Sequence, residues 1–196
     1  MRSYVPLLGK TFEYFVTFTG KTLSLLNPLP SDICIKDIAH ALSLINRFGG
    51  HTPLPYSVAA HSVHVSRLVD DRFALHGLLH DAAEAYLGDV VRPLKSHLHG
   101  YELIESLCES AIEKSLGFKW YPEALHAVKR ADNLALRTEL EVFFPSLHSP
   151  QNPDPSGTYS SEDVAFSDLS YWRGNQSPIA AEAAFIHRYQ QLSGEG

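Results

Sequence analysis

The chain has 196 residues, 44% of them hydrophobic, with 16 basic against 22 acidic side chains and a formal net charge of -6. That length and apolar content suit one domain over 1–196, with a core over 32–145, an N-terminal arm over 1–31 and a loop and helix over 146–196. The acidic balance excludes an electrostatic footprint for a polynucleotide backbone, no run reaches the roughly 18 apolar residues of a membrane span, and Cys34 and Cys108 are too few for a disulfide framework.

With no signal-peptide pattern at the start, the expected location is the cytoplasm. From Thr11 to Leu26, aromatic and polar residues alternate around Thr19-Gly20, which reads as a short hairpin or extended arm. "NPLPSD" is turn chemistry, with Ser31 or Asp32 as the cap of the first helix. From Ile35 the apolar positions Ile38, Leu42 and Ile45 recur at helical spacing up to Arg47, and Gly49-Gly50 stop the helix. Ser57 then caps a second helix that runs to about Val69, and a third spans Arg72 to Leu87 before Gly88.

Asp89 to Pro93 reads as a loop and His99 to Leu116 as a fourth helix with Gly117 as its C-cap. A fifth begins at Pro122, a residue that suits a first helical turn, and continues to Phe144. Residues 146–178 are rich in Pro, Ser, Asn and Gly and are expected to form a long loop or arm. A last helix covers Ile179 to Leu192. No repeat or heptad array is present, and the expectation is a compact all-α bundle with little sheet beyond the N-terminal hairpin or arm.

Three of these helices carry polar residues on apolar seams. His61 completes the spacing of Val58, Val65 and Leu68 in the second helix, and Asp132 lies among Leu125, Val128, Ala135 and Val142 in the fifth. In the third, His80 and Asp81 are neighbours and Glu84 shares their face. A lone buried carboxylate is costly and protonates rather than stays ionised. A divalent cation supplies the missing charge, so His61, His80, Asp81 and Asp132 are candidate ligands for manganese, iron, cobalt, nickel, zinc or magnesium. Such a set leaves coordination positions open, which points to hydrolysis more readily than to structure.

Each residue has a plainer alternative. His61 alone could be a satisfied core histidine, Asp132 could cap a neighbouring helix or pair with Arg130 or Arg137, and His64 is a rival ligand one turn from His61. The joint pattern on three helices is what favours a metal.

"INRFGGHTPLPYSVAAHSVHVSRLV", "LLHDAAEAYLGDVVRPLK" and "VKRADNLALRTELE", in that order, resemble the HD-domain phosphohydrolases, which hold a divalent metal with a histidine, a His-Asp doublet and a distant aspartate. The likeness covers about Asp37 to Glu141, and is closer to small bacterial 5′-deoxynucleotidases and to phage deoxynucleoside triphosphate hydrolases, including those acting on dATP. The resemblance assigns His61, His80, Asp81 and Asp132 to the metal and Glu84 to the attacking water. It assigns Arg47 to the substrate phosphate, and Asp89 with the loop residues Val90, Val91 and Arg92 to the nucleotide. Phe48 stands where a well-known bacterial deoxynucleotidase has tryptophan beside the corresponding arginine, and Arg92 occupies a loop position that need not be basic in the relatives.

Arg47 and Lys95 would stabilise charge on phosphoryl oxygens. Against these roles, Arg47 could be a helix C-terminal cation, Glu84 a solvated-face residue, Arg92 and Lys95 loop charges, and Asp89 a cap after Gly88. Extra cations at the mouth tilt the expectation toward a deoxynucleoside triphosphate, dATP favoured, released as nucleoside and triphosphate. The runner-up is a 5′-deoxynucleotidase acting on monophosphates, and a reading of another class is a non-catalytic nucleotide-binding metal protein. A cyclic-dinucleotide phosphodiesterase lacks support, because no further histidine-rich motif is present. The resemblance also implies a homo-oligomer, for which the N-terminal arm and Tyr171-Trp172 are candidate contacts.

Overall fold

The structure, a computed structural model, describes residues 14–145 and 177–194. The start of the expected arm, most of the expected loop over 146–178, and Tyr171-Trp172 lie outside the described residues. The described residues are mostly helical, with one two-stranded hairpin, as the sequence leads one to expect. Strands β1 (Tyr14–Val16) and β2 (Thr22–Ser24) pair antiparallel, Phe15 opposite Leu23. The turn between them is fastened to the helical body where Thr19 donates to Asp37 through its backbone N, at 2.7 Å, and its Oγ1, at 2.8 Å.

Among the described residues, eight helices come after the hairpin: α1 (Ile35–Leu44), α2 (Val58–Leu68), α3 (Ala74–Leu79), α4 (Glu84–Leu87), α5 (Arg92–Lys95), α6 (Tyr101–Leu116), α7 (Pro122–Phe143) and α8 (Pro178–Ser193). The centre of the packing is α2, in contact with α1, α3, α7 and α8, and every residue from Val58 to Ser66 is buried. Helix α8 closes the body by lying against α1, α2 and α3, with Phe185 completely buried. Burying such a side chain contributes about 1.5–3 kcal/mol. The N-cap of α2 is the expected Ser57, whose Oγ accepts from Ala60 N at 3.2 Å. Gly117 ends α6 at φ 69° and Pro122 opens α7, both as their residue types suggest.

Four local expectations need correction. Ser31 and Asp32 do not cap α1. They lie in a separate 3₁₀ turn, Pro30–Asp32, and the N-cap of α1 is Cys34. Helix α1 ends at Leu44 rather than at the glycines, because the chain leaves in extended form and is tied across to the start of α2 by Arg47 N to Tyr56 O and Val58 N to Ile45 O, both 2.9 Å. Arg47 therefore lies in a 3₁₀ turn, Arg47–Gly50, and not at a helix C-terminus. Arg92 to Lys95, part of which was expected to be loop, form a single helical turn.

The fourth correction bears directly on the doublet. The expected helix from Arg72 to Leu87 is divided into a 3₁₀ turn (Asp71–Phe73), α3, a turn over residues 80–83, and α4. Through that turn the backbone bonds tighten to three-residue spacing, as in Ala82 N to Leu79 O (3.1 Å) and Glu84 N to Asp81 O (3.0 Å). Periodicity alone cannot see this, because the apolar pattern is unbroken across it.

Helices α2 and α3 approach closely at Gly77, where an added Cβ would stand 3.0 Å from Ser66 Cα. The absent side chain thus sets the distance between the helix bearing His61 and the turn bearing His80.

Candidate metal centre

His61, completely buried on α2, points Nε2 at three groups: His80 Nε2 at 3.2 Å, Asp81 Oδ2 at 3.6 Å and Asp132 Oδ1 at 3.4 Å. His80 Nε2 and Asp81 Oδ2 are 3.0 Å apart. One ligand atom from each of His61, His80 and Asp81 lies within 4.8 Å of the others, so these three form a group able to hold a metal ion. His64, the rival on α2, is not in that group. Asp132 on α7 touches it through His61, and its own cationic neighbours are Lys129 at 2.9 Å and Arg92 at 3.4 Å rather than Arg130 or Arg137.

The separations fit a cation. Bonds near 2.1 Å place adjacent ligand atoms about 3.0 Å apart in an octahedron and about 3.4 Å apart in a tetrahedron, close to the 3.0–3.6 Å found here. His80 is aimed by its other nitrogen, Nδ1, which donates to Gly77 O at 2.9 Å, leaving Nε2 for the cluster. Glu84, on α4, has Oε2 buried without a protein hydrogen-bond partner, the position of an oxygen that faces a water or an ion.

Charge tells the same story. Burial acts to raise the Asp81 carboxyl, but His80, His61 and Arg47 hold it below the usual carboxylate range. Burial opposes ionisation of Asp132 as well, and the His61 hydrogen bond with the charges of His61, His80 and Lys129 holds it well below. His61 is the counterpart: burial and Arg47 work against its charge, yet Glu139 and Asp132 push it up to about 9. Without an ion, a proton on His61 supplies the positive charge these acids require. Glu84 goes the other way, raised to about 10 by burial and by repulsion from Asp81 and Asp89.

The cluster opens into a cleft of about 760 Å³. Of the residues singled out in the sequence, Arg47, Phe48, His80, Asp81, Glu84, Asp89, Val90, Val91, Arg92, Lys95 and Asp132 all line it, and His61 lies behind its wall. Gly88, at φ 78°, turns the chain after α4 so that residues 89–92 run along the rim. Asp89 is half-buried there, its carboxyl raised by burial. Phe48 is the one non-glycine among the described residues with positive φ, 55°, a conformation that costs about 1–3 kcal/mol and is concentrated at ligand sites. Its ring meets Phe144 edge-on at 5.3 Å and lies 5.6 Å from the Arg47 guanidinium.

Sequence reasoning missed three participants. Glu139, completely buried, bonds His61 Nδ1 at 2.6 Å and Arg47 Nη2 at 2.9 Å. It lies seven residues after Asp132, two helical turns along the same face, and that spacing was the available signal. Lys129 also follows from spacing, one turn before Asp132. Trp120 lines the cleft, its ring 5.1 Å from the His76 ring, and no local pattern marks it. Leu125, expected in the core seam of α7, is instead 51% exposed and faces the cleft, so the buried face of that helix is carried by Ala124, Val128, Ala131 and Ala135.

Fold and site together define a helical protein with a His-Asp cluster able to hold a metal at the base of an open cleft. No family model matches the chain. It is similar to the uncharacterized protein YfdR of Escherichia coli, 41% identical over 127 residues that cover 65% of this chain and 70% of the relative. It is also similar to an uncharacterized protein of Rhodobacter capsulatus, 37% identical over 138 residues covering 63% of this chain and 69% of the relative. The chain belongs to the family of these two proteins. Among the described residues, no helix is long and apolar enough to cross a membrane.

Proposed function

We propose that the protein is a metal-dependent HD-type phosphohydrolase that removes phosphate from deoxynucleotides, with the 5′-monophosphate as its preferred form. The observation that carries this reading is the convergence of His61, His80 and Asp81 within 3.0–3.6 Å contacts, with Asp132 3.4 Å from His61, at the base of a cleft lined by Glu84 and Arg47. A bound divalent cation, of the manganese, cobalt, zinc, nickel, iron or magnesium class, would neutralise phosphoryl charge and make a water acidic enough to attack at neutral pH.

The protein's own groups do the rest. Glu84, whose carboxyl a cation bound beside it would bring back to the ionised form, accepts a proton from the attacking water, which adds to phosphorus as the bond to the sugar 5′ oxygen breaks. The leaving oxygen takes a proton, and the products are a deoxynucleoside and inorganic phosphate. Arg47, through the Nη1 edge that Glu139 leaves free, steadies a non-bridging oxygen. Phe48 and the rim residues Asp89, Val90 and Val91 face the nucleoside.

The preference for a monophosphate follows from charge. Among the described residues, four cationic side chains and six carboxyl groups line the cleft. Apart from Arg47, each of these cations has a carboxylate partner: Lys95 pairs with Glu105 at 2.6 Å, and Arg92 and Lys129 share Asp132. The triphosphate expectation leaned on Arg92 and Lys95 for the additional negative charges, and Glu109 and Glu113, which also line the cleft, would repel them.

The test is a panel of deoxy- and ribonucleotide mono-, di- and triphosphates with each metal in turn, scoring phosphate, diphosphate and triphosphate separately. Deoxynucleoside monophosphates are expected to give the highest kcat/KM, with phosphate released. Triphosphate as the main product would return the assignment to a dATP-type triphosphohydrolase, and nucleotide binding without turnover would make the protein a binder.

A further inference from the structure

Glu139 is 0% exposed, a burial that charged side chains rarely reach without strong partners, and it has no direct part in the proposed hydrolysis. Its two oxygens serve different halves of the site. Oε1 accepts from His61 Nδ1 at 2.6 Å, while Oε2 accepts from Arg47 Nε at 3.0 Å and Nη2 at 2.9 Å. With the Nδ1 proton committed to Glu139, the neutral imidazole offers its lone pair on Nε2, the atom that faces His80, Asp81 and Asp132. With Nε and Nη2 committed as well, the guanidinium is held so that Nη1 points toward Asp81, 3.8 Å away at the wall of the cleft.

We propose that Glu139 is a positioning residue that fixes His61 as a metal ligand and Arg47 as a phosphate-facing cation together, so that affinity for metal and affinity for substrate both depend on one carboxylate that touches neither. This rests on reading the His-Asp cluster as a metal site. The competing explanation is that Glu139 only anchors α7 to the core through a buried ion pair. That role would show in folding stability and not in ligand affinity.

The experiment uses the full chain, stripped with chelator, as wild type, Glu139→Gln and Glu139→Asp. Glutamine keeps the volume and one acceptor oxygen but loses the charge; aspartate keeps the charge but is one methylene too short to reach both partners. Manganese affinity is measured by calorimetry, folding by thermal melting in chelator, and kcat and KM at saturating manganese on the best monophosphate of the panel. Each folded variant is expected to bind manganese about 10–100-fold more weakly than wild type. KM is expected to rise several-fold, with kcat largely recovered once the metal is saturating. A folded variant of either kind that binds manganese within twofold of wild type overturns the proposal, whatever its melting temperature. Wild-type protein that binds no divalent ion overturns the metal reading itself, an outcome seen before any variant is compared.

Discussion

Asp81→Asn is expected to lower turnover by about a thousandfold and to abolish most of the stabilisation that manganese confers on the folded protein. The carboxylate sits 3.0 Å from His80 Nε2 and 3.6 Å from His61 Nε2, and asparagine preserves its shape while removing its charge. Losing about 4 kcal/mol of transition-state charge stabilisation corresponds to that factor. A ligand at one hundred times its dissociation constant stabilises the native state by about 2.7 kcal/mol. Wild-type protein should therefore melt several degrees higher with saturating manganese than in chelator, and the variant should show little of that increment. In chelator the variant should fold, since neutralising Asp81 also removes a charge that repels Glu84. Equal manganese-dependent melting shifts in the two proteins would remove Asp81 from the ligand set.

Glu84→Gln is expected to separate chemistry from binding. Removing a positioned general base costs about 10²–10⁴-fold in rate, and the loss should fall on kcat, with manganese affinity and KM close to wild type. Burial, Asp81 and Asp89 raise the Glu84 carboxyl to about 10 in the metal-free protein, so at neutral pH it is uncharged there and glutamine is a near-isostere. The sign for stability follows from that shift. A carboxyl whose folded pKa lies above its unfolded value loses stability as pH rises through the window between ordinary carboxylate values and about 10. The variant in chelator should be at least as stable as wild type at pH 7, and more so at pH 9. Unchanged kcat would show that the attacking water does not use this side chain, and would remove Glu84 from the mechanism.

How far the sequence reached depends on the range of the interaction. Helical periodicity located α1, α2, α6, α7 and α8 to within a few residues, because each buries a face whose spacing is local. The same logic placed His61 and Asp132 on inward faces, and both are at the cluster. It failed where the backbone departs from regular spacing without changing composition, as in the turn over 80–83 and in the positive-φ turn at Phe48. Glu139 was missed because its partner is 92 residues away. A buried glutamate reads as a surface residue of an amphipathic helix until Arg47 and His61 are known to meet it. Lys95 and Arg92 carried weight as free cations in the sequence, and only their distances to Glu105 and Asp132 reveal them as already paired.

Crystals grown with manganese and measured at wavelengths on either side of its absorption edge would decide whether the His-Asp cluster is a metal site. The prediction is one strong anomalous peak about 2.1 Å from Nε2 of His61 and His80 and from carboxylate oxygens of Asp81 and Asp132. A manganese-saturated crystal with no peak there, and with those four side chains bonded only to one another, would contradict the account.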